Sequence, residues 1–564
     1  MKYILTITTL FLLLACQSGS EQSSTTADLI YQNGNIYTVN ENMPRAEAVA
    51  VKDGKISFIG SNDEAEKYRG ENTQVIDLAG QTMIPGLIES HGHIMGLGRS
   101  KRTLNLMQVK NYDELVAMVA EAVKKAEPGE WITGRGWHQS KWVPQPEMIT
   151  GYQTHEKLSA VSPDNPVYLK HASGHAAMAN AKAMEIAGIT PGMDFAEDGE
   201  IIKYPDGRPT GIFSERAAGL IEKHMPPDDK ESRRKDLQAA IDECLANGLT
   251  SFQDAGSDAL DIEVYQEFLN EGKLDIRLWI MLSGGNQELL DDWYQKGPRI
   301  DDQLTIRAIK LYADGALGSR GAWLLEEYTD RPGHFGNPIM PMETVFGVSE
   351  AALTHGFQVC VHAIGDRANQ EVLDQFEKAF EANPEAAKDS RFRVEHAQHL
   401  HLDDIPRFAE LDVIASMQAI HMSSDRPWAI DRLGQQRIED GAYVWQKLLQ
   451  SGAKVINGTD APVEPVSPIA SFYASVTRQT LSGTPEGGYE PSQKMTREQA
   501  LKSYTLDAAY GAFQENEKGS IEVGKLADFT VLSQDIMTVP DQDILRTEIV
   551  YTIVGGEIKY RGEK

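Results

Sequence analysis

Pro85-Gly86-Leu87-Ile88-Glu89-Ser90-His91-Gly92-His93 is the stretch on which the fold turns. It closes a short apolar run, about 82-89, that reads as a buried strand ending in two histidines one residue apart. On an extended strand the period of two sends both imidazoles to the same face, where they can share one metal. Seven more short runs have the same character, being rich in β-branched residues and flanked by Gly or Pro: about 249-254, 276-282, 304-312, 357-362, 391-395, 412-417 and 453-458. Longer stretches with apolar residues at helical spacing lie between them, as from Asp366 to Phe380 and from Tyr443 to Gln450. Eight strands alternating with helices predict an α/β chain folded as a (β/α)8 TIM-like barrel, whose active site sits at the carboxyl ends of the strands. Lys310 then falls in strand four, His362 and His396 end strands five and six, and Asp460 follows strand eight. With His91 and His93 these residues converge at the barrel mouth, where they can hold one or two divalent metals over a water.

Working outward, residues 28-80 alternate apolar and polar, and Asp53-Gly54 is a strong two-residue hairpin signal. Residues 515-564 repeat the pattern, with a second hairpin expected around Gly555-Gly556. Two half-sheets from opposite chain ends are expected to pack as a small β-sandwich beside the barrel, which occupies 81-514. The stretch of about 100-235, between strands one and two, is far too long for an ordinary loop and predicts an inserted subdomain or lid.

At 564 residues with 41% apolar content the chain can bury a large core. Its formal charge of −29 argues against a nucleic-acid partner and describes a solvated acidic surface. The first fifteen residues read as a signal peptide, with Lys2 as basic start and Ile4 to Leu14 as an apolar segment too short to span a bilayer. Leu13-Leu14-Ala15-Cys16 resembles a bacterial lipobox, which implies cleavage before Cys16 and lipidation of its thiol; a plain secretory signal is the alternative. Gln17 in place of Asp favours, by the same resemblance, an outer-membrane lipoprotein facing the periplasm. Residues 16-27 then form a flexible tether rich in Ser, Thr and Gln. Cys244 and Cys360 are too few for a disulfide framework, and Cys360, inside strand five, is expected as a small buried thiol.

Six segments taken together resemble the metal-dependent amidohydrolase superfamily, and within it amidohydrolase family 3, the branch that includes N-substituted formamide deformylases. They are Ile84 to His93; Lys310-Leu-Tyr-Ala-Asp314-Gly315-Ala-Leu-Gly318-Ser319-Arg320; Val361-His362-Ala-Ile-Gly365-Asp366-Arg367; Arg393-Val-Glu395-His396; Gly458-Thr459-Asp460-Ala-Pro462; and Gly519-Ser-Ile-Glu-Val-Gly524-Lys-Leu-Ala-Asp528. The likeness runs from residue 28 to 562. It implies a hydrolase in which a metal lowers the pKa of a bound water and polarises the substrate carbonyl, with Asp460 as metal ligand and as general base, then general acid. Zinc is the default for His and carboxylate ligands, with manganese and iron left open. A cationic Lys310 would repel metals, so its place in the set implies reaction with carbon dioxide to an anionic carbamate, as in related binuclear enzymes. Uncarboxylated, it leaves a mononuclear site of His91, His93, one downstream His and Asp460.

Trp137, His175, Arg320 and Gln418 match family positions that resemble pocket lining for substrate. Each also has a plain reading: aromatic packing, a hydrogen-bonded structural imidazole, an ion pair and strand-seven polar packing. His138 stands where the family tends to place Asp or Asn, and Ala419 replaces a frequent Pro, so a relative's substrate does not transfer directly. The expected activity is hydrolysis of a non-peptide C–N bond in a small amide or formamide. Aminoacylase, dipeptidase-like or ester hydrolysis and a non-catalytic surface binding lipoprotein are the alternatives, and a homo-oligomer is left open.

Overall fold

The computed structural model describes residues 26-562, except 108, 173-175, 196-198 and 227. The lipobox with Cys16, most of the tether, and His175 lie outside the described residues. Eight parallel strands form one sheet in chain order: β1 (Leu87–Gly92), β2 (Leu249–Ser257), β3 (Arg277–Ser283), β4 (Leu304–Tyr312), β5 (Gln358–Ala363), β6 (Arg393–His396), β7 (Ile414–Met417) and β8 (Val455–Asn457). Adjacent strands from β1 to β8 are laddered. The seam between β8 and β1 is joined instead through the chain just beyond β8. There the Asp460 amide donates to the His91 carbonyl at 2.8 Å and the His93 amide to the Ala461 carbonyl at 2.7 Å.

The strand β3 shows why these runs are apolar throughout. Leu278, Ile280 and Leu282 face outward into the core shared with the helices, while Trp279 and Met281 face inward onto Ala255, Ala308 and Cys360. A parallel strand covered on both faces therefore lacks polar alternation. Helices such as Ala259–Asn270, Gln287–Lys296 and Asp366–Ala382 wrap the outside. Cys244 and Cys360 are both buried and free.

Strand one differs from its expected course. The run divides at Gly86: Thr82–Pro85 joins the β-sandwich by pairing with Phe529–Leu532, and only Leu87–Gly92 enters the barrel. A Cβ on Gly86 would lie 2.2 Å from the Thr250 hydroxyl, so the chain can change sheets there only without a side chain.

The sandwich is built from both chain ends. One sheet runs in the order Lys55–Gly60, Ala48–Lys52, Leu29–Gln32, Gln74–Asp77. The other runs Glu557–Arg561, Ile549–Val554, Phe529–Leu532, Thr82–Pro85, Asn35–Tyr37, Arg45–Ala46. Tyr31, Val49, Met83, Phe529 and Ile553 fill the space between them. Asp53-Gly54 and Gly555-Gly556 turn the two hairpins with positive φ at both residues, the backbone that two-residue hairpins require. Arg277 at the start of β3 forks onto Asp528 at 2.6 and 2.9 Å, both buried, and ties sandwich to barrel.

The insertion after β1 has its own six-stranded sheet, ordered Gly199–Lys203, Pro209–Glu215, Ala176–Ala179, Val167–His171, Ile132–Trp137, Leu104–Asn105. It carries separate apolar clusters around Leu115, Trp137 and Leu169 and around Phe213 and Ile221. Among the described residues no helix is long and apolar enough to cross a membrane.

Candidate metal centre

The carboxyl ends of the strands bring four of the other five expected ligand residues round Asp460. Its Oδ1 lies 3.2 Å from His93 Nε2 and 3.6 Å from His91 Nε2. Lys310 Nζ is 3.3 Å from His91 Nε2. His396 stacks edge-on to His91, ring centroids 4.9 Å apart. A tetrahedral cation with ligands at about 2.0–2.2 Å separates its ligand atoms by roughly 3.4 Å, so these spacings fit one. Asp460 Oδ1 is buried and has no hydrogen-bond partner among the described residues, which is the state of an atom poised for a cation.

The imidazoles are set in the ligating tautomer by their other nitrogens. His91 Nδ1 donates to Glu395 Oε2 at 2.6 Å, and His396 Nδ1 donates to Gln418 Oε1 at 2.7 Å, which leaves each Nε2 with a lone pair. Burial pushes His91 below the ordinary imidazole value with help from Lys310, against the pull of Glu395. Burial, with His362 and His91 adding, does the same to His396. Neutral imidazole is the form that binds metal. Burial works against ionisation of Glu395 and Asp460, yet nearby positive and polar groups win at both. His91, Arg393 and Lys310 hold Glu395 down at about 2, and His93, His91, His396 and His421 hold Asp460 well below the usual carboxylate range. Burial pushes the Lys310 ammonium down, opposed by Glu395 and Asp460.

Two of the candidate ligands sit on unusual backbone. His396 has φ 76° and Asp460 φ 58°, both left-handed for residues with side chains. Such conformations cost of order 1–3 kcal/mol and gather at functional sites. Here they bend the chain at the end of β6 and beyond β8, so that Glu395 and His396, neighbours that a straight strand would point apart, both serve the cluster.

His362 adjoins this cluster through His396, and its buried Nε2 has no hydrogen-bond partner among the described residues. Its ring lies edge-on to His396 with centroids 4.4 Å apart, but its Nε2 is 3.5 Å from Asp314 Oδ1 and not among the atoms that meet Asp460. Burial, with Lys310 adding, pushes His362 down to about 3. Asp314, pushed up by burial to about 7, accepts the backbone N–H groups of Trp323, Ile364 and Gly365.

The residues expected to line the substrate pocket are placed as follows. Trp137 is fully buried in the insertion, donating its indole N–H to the Leu169 carbonyl at 2.8 Å beside His171 and Trp142. Arg320 is forked onto Asp330, which also takes Arg432. Gln418 spends its amide on His396 and on the Ser416 carbonyl. These three therefore have structural partners, and His175 lies outside the described residues.

Sequence reasoning missed three contributors. Glu395 was inside a quoted motif but given no role. Glu89, fully buried and pushed up by burial to about 8, accepts the Thr459 amide and hydroxyl at 2.7 Å each, and so holds the residue next to Asp460. His421 forms a second group of converging ligand atoms with His396 and Asp460. Its signal was a histidine three residues beyond Gln418, just past a strand end.

Comparison with known proteins places the chain in a family. The model of the amidohydrolase family matches residues 74-560. The chain is 33% identical over 549 residues to protein LONG AFTER FAR-RED 3 of Arabidopsis thaliana, covering 95% of this chain and 92% of that one. It is 26% identical over 547 residues to the N-substituted formamide deformylase of Arthrobacter pascens, covering 94% and 98%. A solved structure, an uncharacterized metal-dependent hydrolase from Pyrococcus horikoshii, superposes with a TM-score of 0.73 at 28% identity, covering 91% of this chain and 99% of that one. A divalent metal and hydrolytic chemistry follow from barrel, ligand cluster and likeness together, and the chain belongs to the amidohydrolase family.

Proposed function

We propose that the protein hydrolyses a non-peptide C–N bond in a small amide or formamide-like substrate, with His91, His93, Lys310, His362, His396 and Asp460 as the ligand set for one or two divalent metals and Asp460 moving the proton. The observation that carries this reading is the meeting of His91 Nε2 and His93 Nε2 at one Asp460 oxygen, 3.6 and 3.2 Å away, with the His93 side chain 35% exposed and so open to an incoming molecule. A bound divalent cation, zinc by donor type, supplies Lewis acidity that acidifies water and polarises a carbonyl.

The chain's own groups do the rest. Asp460 is ionised at neutral pH, so it can take the proton of the attacking water and pass it to the leaving nitrogen. Its backbone, anchored to the His91 carbonyl, holds the carboxylate still during that transfer. Lys310, wholly buried and with its ammonium disfavoured, is suited to carbon dioxide; carboxylated, it replaces a repelling cation by an anionic ligand. The formamide deformylase relative directs the choice of test substrates.

The test is turnover of N-alkyl and N-aryl formamides, linear and cyclic amides, N-acyl amino acids and simple esters by the metal-loaded full chain, with and without chelator. Chelator-sensitive cleavage of an amide or formamide is expected. Cleavage of esters or N-acyl amino acids alone would move the assignment to those substrates, and a metal-loaded chain inert on the whole panel would refute it. The mature chain is further proposed to be an outer-membrane lipoprotein acylated at Cys16. Intact mass of the N-terminal peptide from the native host tests this, an unmodified N-terminus being the contrary result.

A further inference from the structure

We propose that His421 is a ligand of a second cation position, formed with His396 and Asp460 on the far side of the Asp460 carboxylate from His93. This rests on the metal-centre reading above and extends it to a residue outside the expected set. The ligand atoms of His396, His421 and Asp460 all lie within 4.8 Å of one another. His421 Nε2 faces Asp460 Oδ2 at 3.9 Å, whereas His93 faces Oδ1. That distance is too long for a hydrogen bond, and this buried nitrogen has no hydrogen-bond partner among the described residues. A buried polar atom left unsatisfied in this way is unfavourable, and a bound cation would relieve it.

The surroundings hold this imidazole in place. His421 is in the first turn of the helix Ala419–Gly441, directly after β7, and its amide donates to the Gln418 carbonyl at 3.1 Å. The same Gln418 orients His396, so a single residue positions both imidazoles, whose rings lie nearly parallel at 6.0 Å. The start of the helix is pinned to β8, because the Ala419 amide donates to Asn457 Oδ1 at 3.1 Å. Asp425 follows one turn later on the same helix face, where a carboxylate can support a ligating imidazole.

Metal-stripped full chain is titrated with Co(II), followed by its visible d–d absorption and by elemental analysis after desalting. Wild type is expected to take up two equivalents. His421→Ala and His421→Asn should keep the first and bind the second at least tenfold more weakly, while His401→Ala, at an exposed histidine, should keep both. Folding of each variant is checked by circular dichroism and melting, and the more conservative Asn variant serves if Ala fails to fold. Two equivalents with unchanged affinity in a folded His421 variant, or a single equivalent in wild type, would overturn this inference and leave the hydrolase reading standing. A wild type that binds no Co(II) would overturn both.

Discussion

Removing Glu395 isolates the contribution of the group behind His91. The His91 Nδ1 to Glu395 Oε2 bond is 2.6 Å long, and both side chains are fully buried. With its carboxyl held down at about 2, Glu395 is charged throughout any practical assay range. Glu395→Gln keeps an acceptor but removes the charge; Glu395→Ala removes both and leaves a buried N–H unpaired. A hydrogen bond to a charged group contributes about 1.5–3 kcal/mol against about 0.5–1.5 for a neutral one, so the Gln variant loses about 1 kcal/mol of support for His91. That corresponds to roughly fivefold in metal affinity. The Ala variant loses about 2–3 kcal/mol, or roughly 30- to 160-fold, at the upper end of the losses seen when the supports of metal ligands are removed. Competition with a chromophoric chelator on the metal-stripped full chain measures both constants. The expected order is wild type, then Gln, then Ala. A folded Glu395→Ala variant within twofold of wild type would refute the claim that this carboxylate sets the ligating form of His91.

Three other outcomes follow from the same geometry. Breaking the buried fork between Arg277 and Asp528 by Arg277→Ala should destabilise the chain by about 3–5 kcal/mol in denaturant titration, since one charge is left unpaired, and an apolar pair at both positions should recover much of the loss. Gly458→Ala places a Cβ 2.3 Å from Glu89 Oε1 and 2.8 Å from the His91 amide; it should weaken metal binding more than tenfold, and unchanged affinity would show that the seam tolerates movement. For the metal-free chain, His91, His362 and His396 stay neutral when folded but take up protons below about 6.5 when unfolded, which lowers stability as pH falls. Glu89, Asp314 and Asp261, pushed up by burial to about 8, about 7 and about 6, act in the opposite sense down to the ordinary carboxyl range and offset the three imidazoles. Below about 4.5 Glu395 and Asp460 add their own loss, so the melting temperature should change little from pH 7 to 5 and fall steeply below; a rise between pH 4.5 and 3 would contradict the assignment.

The barrel could be read from sequence because its strands are covered on both faces, which makes them short apolar runs that helices interrupt. Where one run served two sheets, as at Pro85-Gly86, the pattern carried no sign of the break: Met83 and Leu87 are equally apolar, and only the closeness of Thr250 separates them. The histidine pair and Asp460 were legible because their spacing and place after strands are chemical requirements. His421 was not, because it sits on a helix turn and reaches the cluster only through the bend after β7. Residue type alone could not choose between the two readings of Arg320 and Gln418, whose partners, Asp330 and His396, are 10 and 22 residues away and brought close only by the fold. An indole in a core and an indole in a pocket look alike in sequence, which is why Trp137 could be resolved only by its burial.

The seam between β8 and β1 explains why the metal cluster and the barrel are not independent features. No ladder joins those two strands; closure instead uses the Asp460 amide on the His91 carbonyl, the His93 amide on the Ala461 carbonyl and the Glu89 carboxylate on Thr459. The residues that close the barrel are thus the candidate ligands themselves or their immediate neighbours. Opening the seam would separate Asp460 from His91 and His93 and abolish the site, so a cation that prefers the assembled cluster also favours the closed barrel. At a free metal concentration of 1,000 times Kd that linkage amounts to about 4 kcal/mol, comparable with a large part of the net stability of an ordinary domain. The left-handed backbone at Asp460 belongs to the same economy of structure: its strain is held by the seam bonds, and the carboxylate it aims is what a bound cation would hold in turn.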